Sequence, residues 1–149
     1  MSSVLYNNFK KLELSGNAIS WMNSGIYVML VSGSYNPSTT LYKTHTVTGD
    51  IGAHEVVDAN GSYTKGGAQL TSKAVGVGSP AGTDVAYCDA ADVTWANTSL
   101  TASGAVIYQS GSTAALNYLI AWLDFGGNKT SSNGSFTISW NTAGIINNT

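Results

Sequence analysis

Arginine is absent from this chain, cysteine occurs once, proline twice, and charged residues of both signs fill only 9% of its 149 positions. Each shortage excludes something. The basic residues are six lysines and the formal net charge is −2, whereas a nucleic-acid partner needs a basic face, usually with bidentate guanidinium groups. Lys10-Lys11 is the only basic pair, so no nucleic acid is expected. Cys88 cannot form a disulfide within the chain, and the fold must rest on packing. Flanked by Tyr87 and Asp89, and far in sequence from both histidines, it reads as a small buried hydrophobe rather than a nucleophile. Apolar runs stay short of membrane-spanning length, and the opening residues lack a signal-peptide pattern. Synthesis in the cytoplasm and no membrane partner are the expectations.

Serine, threonine, asparagine and glycine stand where charge is missing. Such a neutral, hydroxyl-rich exterior is typical of extracellular or particle-forming β proteins, in which close-packed copies must not repel one another. The length fits a single domain over residues 1–149 with a sizeable core, and no internal repeat of fixed period is present.

Apolar residues at Val4, Leu5, Phe9 and Leu12 follow helical spacing, with Ser2 or Ser3 as N-cap and Gly16 as stop. They predict one short N-terminal helix, about 4–15, docked on a sheet. Ile19 to Trp21 and, past a turn at Asn23-Ser24-Gly25, Ile26 to Val31 carry strand character. The unbroken run Ile26–Val31 implies a strand buried on both faces. Residues 36–60 are weakly patterned and read as a long loop or arm, with room for a short helix over 51–57. Gly66-Gly67 before Ala68 and Leu70 predicts a close backbone approach or a bulge. Further strands are expected at Val85–Cys88, Asp92–Trp95, Leu100–Gln109, Tyr118–Phe125 and Ser135–Trp140, split by turns at Ala96-Asn97, Gly111-Ser112 and Ser132-Asn133-Gly134. Asp124-Phe125-Gly126-Gly127 reads as a strand end in a tight turn. The last third is thus expected to be a β-meander, with Trp95, Trp122 and Trp140 in its core. Together these elements predict a mainly β fold, an antiparallel β-sandwich or jelly-roll-like domain.

His45, Asp50, His54, Glu55 and Asp58 form the one cluster of titratable groups in sequence. Their spacing matches no zinc motif, and Asp84, Asp89, Asp92 and Asp124 lack the alternating pattern of a calcium loop. Solvated loop acids and turn caps are the simpler reading, so no metal, no cofactor and no catalytic residue is assigned. The sequons at Asn97, Asn128 and Asn133 read as polar turns.

Several ordered blocks carry a resemblance. Tyr6-Asn7-Asn8-Phe9-Lys10-Lys11-Leu12, Ile26–Val31, Gly61–Leu70, Asp92-Val93-Thr94-Trp95, Gly104–Tyr108, Leu119–Gly126 and Gly134–Trp140 together resemble a family of small structural virion proteins of tailed bacteriophages. The resemblance implies a non-enzymatic structural component of the particle, commonly a capsid decoration (cement) protein on the capsid surface. Its implied partners are the major capsid protein and further copies of itself, with a trimer favoured for a local three-fold site. A head–tail or tail-surface position, or a carbohydrate-binding module stacking sugars on exposed Tyr35, Tyr42 or Tyr63, are the alternatives. Candidate partner contacts are His45, His54, Glu55, Tyr35 and Tyr42, on an arm whose substitutions at His54 and Glu55 are expected to leave folding almost intact.

Overall fold

A computed structural model describes residues 3–16, 19–23, 25–37, 40–79 and 84–148. The fold is mainly β, with 44% of the described residues in strands and two antiparallel sheets in a β-sandwich arrangement. The five-stranded sheet runs β1 (Ser3–Leu5), β7 (Tyr118–Ile138), β6 (Val93–Gln109), β2 (Ile26–Val31), β3 (Ala68–Gln69). The three-stranded sheet runs β4 (Ala74–Val77), β5 (Ala86–Asp89), β8 (Ile146–Asn148).

Strands β6 and β7 form one long hairpin that organises the molecule. Its inner half pairs Gly104↔Asp124 through Gln109↔Tyr118, and its outer half pairs Val93↔Ile138 through Ala102↔Lys129. Between the two halves Phe125 to Asn128 stand opposite Ser103 alone. Gly126 and Gly127 take φ of +72° and +133°, which glycine tolerates and other residues resist. The Asp124 carboxylate accepts the Gly126 N–H at 2.8 Å and fixes the corner. At that corner the ribbon doubles back. The rings of Phe125 and Phe136 lie 6.2 Å apart, although a straight strand would separate them by about 36 Å. The tight turn expected at Asp124–Gly127 is therefore a bulge inside a continuous strand.

The same correction applies to the expected meander. Asn97 and Asn133 do adopt turn-like backbone, with φ of +55° and +47°, but they lie in register shifts of the ladder instead of reversing the chain. Four expected strands thus merge into two. Trp95 and Trp122 are buried; Trp140 lies just past β7, half-buried, its indole N–H donating to the Ala91 carbonyl at 2.8 Å.

Because side chains alternate along a strand, the main sheet presents two faces, and both are apolar. Ile26, Val28, Leu30, Ala105, Ile107 and Ile120 belong to one core. It fills the space between the sheet, the folded-back outer ribbon (Val93, Trp95, Phe136, Ile138), the helix and the inner side of the small sheet. Met29, Val31, Val106, Tyr108, Leu119 and Trp122 belong to a second core. Its cover is the stretch expected to be an arm: Tyr35 and Ile51 are each 1% exposed, and Leu41 and Tyr42 pack beside them. Residues 41–44 form a short helix α2 (Leu41–Thr44), followed by two 3₁₀ turns at Thr48–Asp50 and Gly52–His54. The cover is laced to the sheet by backbone bonds, Ser32 N–H to His54 O, Val56 N–H to Leu30 O and Leu119 N–H to Thr46 O, all 2.9–3.0 Å.

The N-terminal helix α1 spans Asn7–Leu14, not 4–15. Val4 and Leu5 instead pair with Trp122 and Ala121 in β1, Val4 facing the second core and Leu5 the first. Of the two serines expected as caps, Ser3 lies in β1 and Ser2 falls outside the described residues. The N-cap position is Tyr6, extended at φ −66°, ψ 139°. Phe9 and Leu12 dock on the first core, and Gly16 follows the last turn, as expected. Ile19 and Trp21 are buried without forming a strand. Ser24, within the expected turn, is outside the described residues. Gly67 makes the predicted close approach: a Cβ there would fall 1.8 Å from the Val28 carbonyl oxygen.

Both covers carry stability. Trp122→Ala, on the sheet, should cost roughly 3–5 kcal/mol, and Ile51→Ala, on the cover, roughly 2–5 kcal/mol, through cavity formation. Chemical denaturation measures both; an Ile51→Ala protein as stable as the parent would show the cover to be an appendage.

Candidate functional site

The candidate contacts of the cover separate into two groups. On the second core, Tyr35 lies between the two imidazoles, 5.8 Å from the His45 ring and 5.6 Å from that of His54. Its hydroxyl meets the buried Tyr6 hydroxyl at 2.7 Å and His45 Nδ1 at 3.1 Å. Burial pushes the Tyr35 phenol up to about 12 and that of Tyr6 higher still, so both remain neutral hydrogen-bonding groups at physiological pH. His54 Nδ1 meets the Ser34 hydroxyl at 2.9 Å. Burial tends to raise the Asp50 carboxyl, but bonds from the Thr46 and Val47 N–H groups, at 2.7 and 3.1 Å, and the neighbouring His45 bring it below its ordinary value. Tyr42 is half-buried beside the exposed Lys43, whose ammonium lies 5.5 Å from its ring centre.

Glu55 belongs to the other group. Val31↔Glu55 is an antiparallel bridge that extends the sheet where β3, paired only to Tyr27 and Val28, has ended. The Glu55 carboxylate accepts the Tyr63 hydroxyl at 2.8 Å and the Gly66 N–H at 2.5 Å. Tyr63 in turn accepts the Leu30 N–H at 2.9 Å, and the Tyr108 hydroxyl donates to Gly66 O at 2.7 Å. Burial first, and Glu55 second, push the Tyr63 phenol well above its ordinary value and that of Tyr108 up to about 12. Glu55 is therefore a clamp on the 63–67 loop. Its expected role as a surface contact replaceable without effect on folding is corrected by these bonds.

Asp58, 7% exposed, accepts four backbone N–H groups: Asn60 at 3.1 Å, Ser62 at 2.7 Å, Tyr63 at 2.9 Å and Ser99 at 2.7 Å. Burial raises its carboxyl pKa, but these four bonds outweigh it and hold the group below the usual carboxylate range. The Ser99 bond ties the loop to β6, and Asn60 adds bonds to Asn97 O at 3.1 Å and Asn133 Oδ1 at 2.9 Å. The expectation of a solvated loop acid at Asp58 is corrected by these bonds. The turn signature Asp58-Ala59-Asn60-Gly61 was the legible sign of its role.

The remaining aspartates sit at turns, next to strand ends or at the ribbon corner, and Glu13 lies in α1. Asp124 holds the corner and Asp92 accepts the Trp140 N–H at 3.0 Å. Among the described residues no group of three His, Cys, Asp or Glu side chains is placed to hold a metal ion. Cys88 is half-buried, its thiol raised by burial and by Glu13. Tyr35 and Tyr63, 1% and 5% exposed, offer no ring face for stacking a sugar. A cleft of about 670 Å³ lies inside the ribbon corner between Phe125 and Phe136, with Asp124 and Lys129 in its lining. Comparison with known protein families, characterised proteins and solved structures finds no match for this chain.

The lowered Asp58 pKa makes stability pH-dependent. A carboxylate whose native pKa is depressed stabilises the fold above its unfolded pKa, and that contribution is lost as pH falls through the native value. Asp58→Asn should therefore lower the melting temperature most near about pH 7, with the gap to wild type shrinking below about pH 4. Thermal denaturation across this range checks it, and a gap independent of pH would contradict the assignment.

Proposed function

We propose that this chain is a non-enzymatic structural protein of a tailed-bacteriophage virion, a capsid decoration protein that binds the major capsid protein lattice as a homo-oligomer. The observation that supports it most is where the reactive side chains are engaged. Glu55, Asp58 and Asp50 accept backbone N–H groups, and both histidines hydrogen-bond to hydroxyls within the cover. These groups hold the fold.

The outer ribbon meanwhile presents neutral hydroxyls. Thr94 pairs with Thr137 and Thr101 with Thr130, each at 2.9 Å, with Ser132, Asn133 and Ser135 on the same strand. A neutral, hydrogen-bonding exterior lets many copies sit side by side on a lattice without mutual repulsion. Weak individual contacts then add through multivalency. The particle itself is suggested by the block resemblance to phage virion proteins.

Purified particles of the phage that encodes this chain test the reading through copy number. A copy number comparable to that of the major capsid protein, together with co-sedimentation of the purified protein with undecorated shells, is expected. A few copies per particle would place it at the head–tail junction or tail, and its absence from particles would overturn the proposal.

A further inference from the structure

The exposed apolar side chains are unevenly spread. Six large ones are exposed among the described residues; two of them, Leu14 at 90% and Val75 at 56%, line one groove, and a third, Val77 at 79%, lies two residues beyond Val75. The groove, about 460 Å³, runs between α1 and β4–β5–β8. Leu5, Phe9 and Leu14 form one wall, and Val75, Ala86 and Ile146 the other. Val77 follows Val75 on the same face of the strand. Strand β4 pairs only with β5 among the described strands and has no charged residue within Ala74–Val77. An uncharged, apolar edge left open in this way is a pairing surface that proteins otherwise guard with charge.

We infer that this groove is the contact between two copies of the chain, related by a two-fold axis. Two features of the groove select a second copy as occupant. First, projection and recess lie in the same patch: Leu14 protrudes from the helix end, five residues along α1 from Phe9 in the recess. A two-fold axis seats each Leu14 in the other copy's groove, which is the self-complementarity an isologous interface requires. Second, the rim is charge-complementary to itself. Lys10 and Glu13, exposed and three residues apart on α1, line the groove; Glu13 Oε1 accepts the Ile19 N–H at 3.1 Å, and antiparallel helices crossing at the axis bring Lys10 of one copy to the other carboxylate oxygen of Glu13 in its partner, twice. A like-charged rim would oppose the same arrangement.

The inference deepens the homo-oligomer part of the proposed function but stands apart from the virion, since self-association is measured on the purified protein alone. Sedimentation equilibrium of the full chain should show dimers, or even-numbered assemblies, at tens of micromolar. Leu14→Glu, a change at a 90% exposed side chain, should leave the circular dichroism spectrum and melting midpoint of the dilute protein unchanged while weakening association about tenfold or more. Val77→Lys should do the same by charging the open edge, and Leu116→Glu, an exposed residue far from the groove in sequence, should not. A wild-type monomer at about 100 µM, a trimer, or a Leu14→Glu protein that associates like the parent would overturn the interface. Loss of particle binding with dimerisation intact would instead count against the capsid reading alone.

Discussion

A sheet with two apolar faces must be covered twice, and most of this structure follows from that constraint. Strand β2 is buried at five of its six positions, so neither face can be left to solvent without exposing several large side chains at a cost of about 1.5–3 kcal/mol each. One face is covered by what the hairpin itself supplies when it folds back at Gly126-Gly127, helped by α1 and the small sheet. The other is covered by residues 35–56, which contain little regular structure and hold their place through single buried side chains and backbone bonds to β2 and β7. The polar clamps serve the same end. Glu55 and Asp58 join the cover and the 58–67 loop to the sheet through N–H groups that would otherwise be buried without partners.

This arrangement explains how a chain so poor in charge places its few acids. A carboxylate that accepts several N–H groups is worth more to a loop than a solvated surface pair, because each bond is charge-assisted. Asp58 ties a turn to a strand 41 residues away. Asp50 and Asp124 do the same locally for the cover and the corner. What is left on the outside is mostly hydroxyl and amide, the surface on which the proposed lattice role depends.

The strands were legible where periodicity and composition spoke together. The Ile26–Val31 run announced burial on both faces, and the Gly66-Gly67 pair announced a close approach. The cover was not legible, because Tyr35, Leu41, Ile51 and Val56 are isolated apolar residues at irregular spacing whose partners lie on distant strands. Val4 and Leu5 fit a helix and a strand equally as a dipeptide, and only their pairing with β7 decides between them. Asn97, Asn133 and Gly126-Gly127 read in sequence as turns that end strands; all four carry positive φ, but within continuous strands. Whether such a place reverses a chain or kinks it depends on what the neighbouring strand does, and sequence spacing carries no trace of that. Of the candidate contacts, Tyr35 proved to be buried and Glu55 to be half-buried and bonded to the 63–66 loop, since an acid or tyrosine in an unpatterned stretch gives no sign of the donors the fold brings to it.

That the cover is part of the cooperative core is the claim on which the structural reading of these side chains stands. Native-state hydrogen exchange tests it directly. The amides of Ser32, Val56 and Leu119, bonded to His54, Leu30 and Thr46 across the cover–sheet junction, should be protected as strongly as those at the centre of β6, such as Val106 and Ile107. Exchange of these three at rates typical of an open loop, with β6 still protected, would show that the cover opens independently and that the second face of the sheet is sealed by something else.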